Sequence, residues 1–281
     1  MRAAAGAWLA AGVLLAAPAG AAEPCGEVVT VETHGRTTTR YALAGPPEPP
    51  PAGGRVALVL LPGGGGHLDL DAQGCPRALA GNSLVRKLPL LHGAGFVTAL
   101  VDAPSDHPGD EGLGGFRVTR DHADDLGRVI ADVRRRTRGP VWLIGTSRGA
   151  ISAANAAARL AASGGPDGLV LTSAVMSGGT GGQRPYVRQT VFDADLEAIR
   201  VPVLVVGHAA DSCLRSPATM MERITARTSG AREQVVTVTG GPGGRALASL
   251  DACQGRSPHG FVDQEAEVVA GIARFIRGER Y

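Results

Sequence analysis

A serine at 147, an aspartate at 211 and a histidine at 259 are the residues of this chain best suited to carry a reaction. Ser147 is the middle residue of Gly145-Thr146-Ser147-Arg148-Gly149. A hydroxyl is a poor nucleophile until a base removes its proton. Histidine is the commonest base, and a carboxylate holds it in the required tautomer. Asp211 lies in His208-Ala209-Ala210-Asp211-Ser212-Cys213, just past the apolar run 201–207. His259 lies in Ser257-Pro258-His259-Gly260-Phe261, ahead of a last helical stretch. Reactive groups on a parallel sheet gather at the carboxyl ends of its strands, where both positions are expected. Asp251 and Asp263 are rival acids, and Asp211 as a helix cap is the plainer alternative. His67, after four glycines, reads as a loop residue lining the cleft. His208 reads as a satisfied structural histidine, and His107 and His122 have no partner legible in the sequence.

The elements around Ser147 give the five-residue motif its meaning. A chain with 41 glycines can match G-x-S-x-G by chance. Here four apolar residues, Val141 to Ile144, precede it and an alanine-rich run follows. Strand, sharp turn and helix with serine at the apex form a nucleophile elbow. Small residues two before and two after the serine let the two backbones pass closely.

The rest of the chain alternates strands and helices. Residues 27–32 and 38–44 read as two strands joined by a turn at His34-Gly35. Residues 45–54 form a proline-stiffened loop. Buried strands are expected at 55–61, 96–102, 168–173 and 201–207, with a further strand at 234–239. Helices are expected at 82–91, 119–136, 217–227 and 264–277. Continuous apolar strands separated by helices predict a mostly parallel sheet covered on both faces. Residues 175–192 are glycine-rich and lack a helical period, which predicts a minimal or absent lid over an open cleft. Tyr186 and Phe192 are candidates to line that cleft, Phe192 equally for the core.

Residues 1–22 read as a secretory signal: Arg2, an apolar run over 7–17, then Ala19-Gly20-Ala21-Ala22. The run is too short for a membrane span. The expected mature chain is then 23–281, one domain, periplasmic or secreted. The formal charge is +2, and loss of Arg2 leaves +1, which argues against nucleic-acid binding. Four cysteines in an exported chain suggest two disulfides, with three pairings possible. Cys25–Cys75 and Cys213–Cys253 is the preferred pairing. The second of these would tie the acid loop to the histidine loop. No C-x-x-C pair points to a zinc site, and no Lys-Ser/Thr pair follows the glycine run, so it is not a phosphate loop.

The order Ser147, Asp211, His259 and the elbow together resemble the α/β-hydrolase family. The resemblance spans nearly all of 23–281. It implies attack by Ser147 on a carbonyl, proton transfer through His259 and orientation of that histidine by Asp211. It implies an oxyanion hole from the backbone N–H groups of Arg148 and of Gly64, with Gly65 next; Pro62 stands where a histidine often precedes the glycine. It implies a serine hydrolase, with carboxylic esters first, small or polymeric, and amides or peptides second; a catalytically silent binding protein is the third reading. No metal or organic cofactor is implied, and oligomeric state is not legible.

Overall fold

The computed structural model describes residues 25–46, 54–179, 184–242 and 247–281. The expected signal at 1–22 and most of the proline-rich loop lie outside the described residues. Among the described residues, eight strands form one sheet in the order β1-β2-β4-β3-β5-β6-β7-β8. The strands β1 (Glu27–Glu32) and β2 (Thr38–Ala44) pair antiparallel through the turn at His34–Arg36. Strand β2 pairs antiparallel with β4 (Val97–Val101). From β4 onward the sheet is parallel: β3 (Ala57–Leu61), β5 (Val141–Thr146), β6 (Gly168–Thr172), β7 (Val203–His208) and β8 (Glu233–Val238).

Side chains alternate faces along a strand, and both faces here are apolar. Ala57, Val59, Leu61, Val141 and Leu143 point into one buried cluster with α2 (Arg120–Thr137) and α3 (Gly149–Arg159). Leu58, Leu60, Trp142 and Ile144 point into the other with α1 (Ser83–Gly93) and α5 (Glu265–Ile276). The unbroken apolar runs of the sequence have this double-sided burial as their cause. Asn82 and Thr119 cap α1 and α2, accepting the N–H groups of Leu84 and His122.

One expected helix is shorter than its pattern. Residues 217–227 form a 3-10 turn at Ala218–Met220 and then one α-turn, α4 (Glu222–Thr225). The N–H groups of Met220 and Met221 bond three residues back, to Pro217 and Ala218, so the segment starts too tight for an α-helix. Between β6 and β7 the described residues hold only short 3-10 turns, so no α-helical lid covers that edge. No helix among the described residues is long and apolar enough to cross a membrane.

Candidate functional site

Every residue of β5 is buried, and so is α3 apart from Arg159. The elbow between them is therefore set by the core. Ser147 sits at φ +52°, a left-handed conformation that costs a non-glycine residue roughly 1–2 kcal/mol. Its N–H extends the sheet by donating to the Thr172 carbonyl at 2.9 Å. A Cβ on Gly145 would lie 2.5 Å from the Gly149 carbonyl oxygen, and one on Gly149 would overlap the Leu61 carbonyl. Both glycines are required by the close passage of helix and strands, the reason the sequence suggested.

Past β3, the glycine run makes a tight turn beside the elbow. The Gly66 N–H donates to the Gly63 carbonyl at 3.1 Å, and Gly64 takes φ +58°. The N–H groups of Gly64 and Arg148 reach no acceptor among the described residues. Arg117, wholly buried, braces this turn: Nη2 donates to the Pro62 and Gly64 carbonyls at 3.2 Å, and Nη1 to Ser152 Oγ at 2.8 Å. Burial, with Arg148 nearby, pushes its guanidinium down to about 9.

The acid and the histidine arrive on loops. Asp211 follows β7, and its Oδ1 accepts the Cys213 N–H at 2.9 Å. Its Oδ2 lies 2.9 Å from His259 Nδ1, with the two side chains only 1% and 4% exposed. Asp211 thus makes a local turn and holds the histidine at once. Among the described residues Asp251 and Asp263, the rival acids, make no hydrogen bond or ion pair with His259, whereas Asp211 makes both. With Nδ1 donating to the carboxylate, Nε2 is the acceptor nitrogen. That Nε2 is buried and has no hydrogen-bond partner among the described residues. His259 and Ser147 line the same cavity of about 340 Å³, together with Gly63, Gly64, Leu79 and Arg256.

Four further groups hold the histidine loop. Cys213–Cys253 joins it to the acid loop. Ser173 Oγ donates to the His259 carbonyl at 2.7 Å, and Ser257 Oγ accepts the His259 N–H at 3.2 Å. Arg86 of α1 donates to the carbonyls of Gly81, Gly255 and Gly260 and to Glu265. The second disulfide, Cys25–Cys75, ties the start of the described chain to the loop after β3. Both bonds follow the preferred pairing. Arg86 and Arg117 were not legible beforehand, because an arginine gives no sequence signal for carbonyls far along the chain.

The remaining histidines fall elsewhere. His67 belongs to a separate cavity of about 220 Å³ and accepts the Gly109 N–H at 3.1 Å, so it does not line the cleft of Ser147. The glycine turn swings the chain away before residue 67 is reached. His208 is a satisfied structural histidine, with Nε2 3.1 Å from the Gly240 carbonyl and the Ala210 N–H on Nδ1. His122 is buried against Ser152, and burial with Arg117 beside it pushes its pKa down to about 3. The Arg148 guanidinium stacks over Tyr186 at 4.7 Å, and Tyr186 donates to Glu111 at 2.8 Å. Phe192 packs against the core under Arg223.

No family model and no curated protein matches the chain. Solved structures do. Dienelactone hydrolase from Anabaena variabilis superposes with a TM-score of 0.58 over 92% of this chain and 100% of its own, at 14% identity. A cold-adapted esterase from an Arctic intertidal metagenomic library gives 0.56 over 90% and 93%, at 15% identity. The esterase RhEst1 from a Rhodococcus species gives 0.57 over 89% and 98%, at 18% identity. With strand order, helix placement and these superpositions in agreement, the chain has the α/β-hydrolase fold.

Proposed function

We propose that the protein is an exported serine hydrolase that cleaves carboxylic esters through an acyl-enzyme on Ser147. The observation that carries this reading is the buried, unpartnered Nε2 of His259, held through Nδ1 by Asp211 and lining one cavity with Ser147. Hydrogen bonds of this kind are often open without substrate and tighten on binding. His259 takes the Ser147 proton as Oγ attacks the carbonyl carbon. Asp211 stabilises the imidazolium that results. The N–H groups of Gly64 and Arg148 receive the developing oxyanion, where one such donor contributes about 3 kcal/mol. The imidazolium then gives its proton to the departing alkoxide. Water, deprotonated by the same histidine, releases the acid.

Esterases among the similar folds favour an ester over an amide. The cavity volume and the lack of a helical lid among the described residues favour a small ester or an exposed polymer chain. Export rests on the character of residues 1–22 and on two disulfides, which persist in oxidising compartments. The test is a panel of chromogenic esters beside peptide anilides, run with wild type and Ser147→Ala. Ester turnover that disappears in the variant supports the reading. Anilide turnover alone, or ester turnover unchanged in the variant, overturns it.

A further inference from the structure

A second cluster of reactive side chains lies outside the cavity of Ser147 and His259, where the β1–β2 turn meets the loop after β4. His34 Nε2 and His107 Nε2 stand 3.1 Å and 3.8 Å from one oxygen, Oδ2 of Asp106. All three atoms lie within 4.8 Å of one another. Ligand atoms on a tetrahedral zinc, each about 2.0–2.1 Å from the metal, stand about 3.4 Å apart. The observed spacings bracket that value.

The surroundings are built as a metal site needs. A ligating imidazole usually gives its other N–H to a carboxylate or a carbonyl, which fixes the tautomer. Both rings do so here. His34 Nδ1 lies 2.6 Å from Asp125 Oδ2, and His107 Nδ1 lies 3.2 Å from the Gly112 carbonyl oxygen. Each ring therefore turns Nε2, with its lone pair, toward Asp106. Asp125 is buried on α2 and also accepts the His34 backbone N–H at 2.7 Å. Phe116 packs on both rings, with centroids 4.2 Å from His107 and 4.8 Å from His34. Two neutral imidazoles and two carboxylates balance a dication. Two nitrogens with one carboxylate suit zinc or cobalt, whereas magnesium and calcium prefer all-oxygen shells.

We infer that His34, Asp106 and His107 bind one divalent transition-metal ion such as zinc, with Asp125 orienting His34. Water completes the shell. The ion clips the β1–β2 turn to the loop after β4, whose Leu113 N–H donates to Gly65 at 2.8 Å in the glycine turn. The inference stands apart from the serine chemistry, and each can fail alone.

The test is titration of tag-free, chelator-treated protein with zinc by calorimetry and with cobalt by visible absorption. The expected result is one zinc per chain, a cobalt d–d spectrum of low coordination number, and a melting temperature raised by zinc but not by magnesium. His107→Gln and Asp106→Asn should each weaken binding at least tenfold and abolish the cobalt spectrum. Asp125→Asn, which removes no ligand, should weaken binding by roughly 10–100-fold. His92→Gln, on α1, should leave binding unchanged. Circular dichroism verifies that each variant is folded. If folded wild type binds no zinc, or binds it no more tightly than His107→Gln does, the cluster is an ion pair between imidazolium and Asp106 and the inference is overturned.

Discussion

The elbow and the loops of Asp211 and His259 sit at the same rim of the sheet but are held there by different physics. Ser147 is fixed by packing: buried residues flank it on β5 and α3, and two glycines allow the backbones to touch. Asp211 and His259 sit past the ends of the strands, on a loop with a single bridge between Cys213 and Ser249 and in a short 3-10 turn. Their positions rest on discrete links: a disulfide, the bonds of Ser173 and Ser257, and the guanidinium of Arg86. If Ser147 is the nucleophile and His259 its base, as proposed, the first fails only when the fold fails, and the second can be detuned while the fold survives.

Asp211→Asn tests the second half most sharply. It should lower kcat by about 10⁴-fold, because the wrong tautomer is then presented to Ser147, with little change in melting temperature. A loss under tenfold would separate Asp211 from the mechanism. Gly149→Ala probes the first half and should act in the opposite way. The new methyl overlaps the Leu61 carbonyl. The expected loss is about 3–5 kcal/mol of stability, on the order of 10 °C in Tm. An unchanged Tm would show that the elbow has slack that packing does not reveal.

Removing the two disulfides separates position from stability. Each closes a long loop, with sequence separations of 40 and 50, so each should contribute about 2–4 kcal/mol. Cys213→Ser with Cys253→Ser should also lower kcat, whereas the same change at Cys25 and Cys75 should not. Equal kcat in the two double variants would remove the positioning role.

The smallest effect concerns Lys87, the chain's only lysine, which is buried with Nζ 2.6 Å from Ser83 Oγ. Burial, with Arg86 adding, pushes its pKa down to about 7 from 10.5. Between those values the unfolded chain binds more protons than the folded one, so stability from this group rises with pH across that window. Wild type should gain roughly 4–8 °C more than Lys87→Met between about pH 7 and pH 9, or about 2 kcal/mol. Parallel Tm curves for the two proteins would contradict this.

What the sequence disclosed follows the same division. The elbow was legible because its cause is local: five residues with a strand before and a helix after. Most of the strands were legible because burial on both faces leaves continuous apolar runs. Asp211 and His259 could be named from chain order and their place at strand ends, yet the choice of Asp211 over Asp251 needed the 2.9 Å contact. The bracing arginines and the pairing of His34 with Asp125, 91 residues apart, were hidden because nothing local encodes them. His67 was misplaced because the direction of the chain after the glycine turn is a tertiary property.

Covalent labelling tests the central claim most directly. Native, folded protein is treated with a fluorophosphonate and the adduct is mapped by peptide mass. The account predicts one adduct, on Ser147, formed much more slowly in His259→Ala and absent in Ser147→Ala. Folded protein that stays unlabelled, or that carries the adduct on another residue, would contradict it.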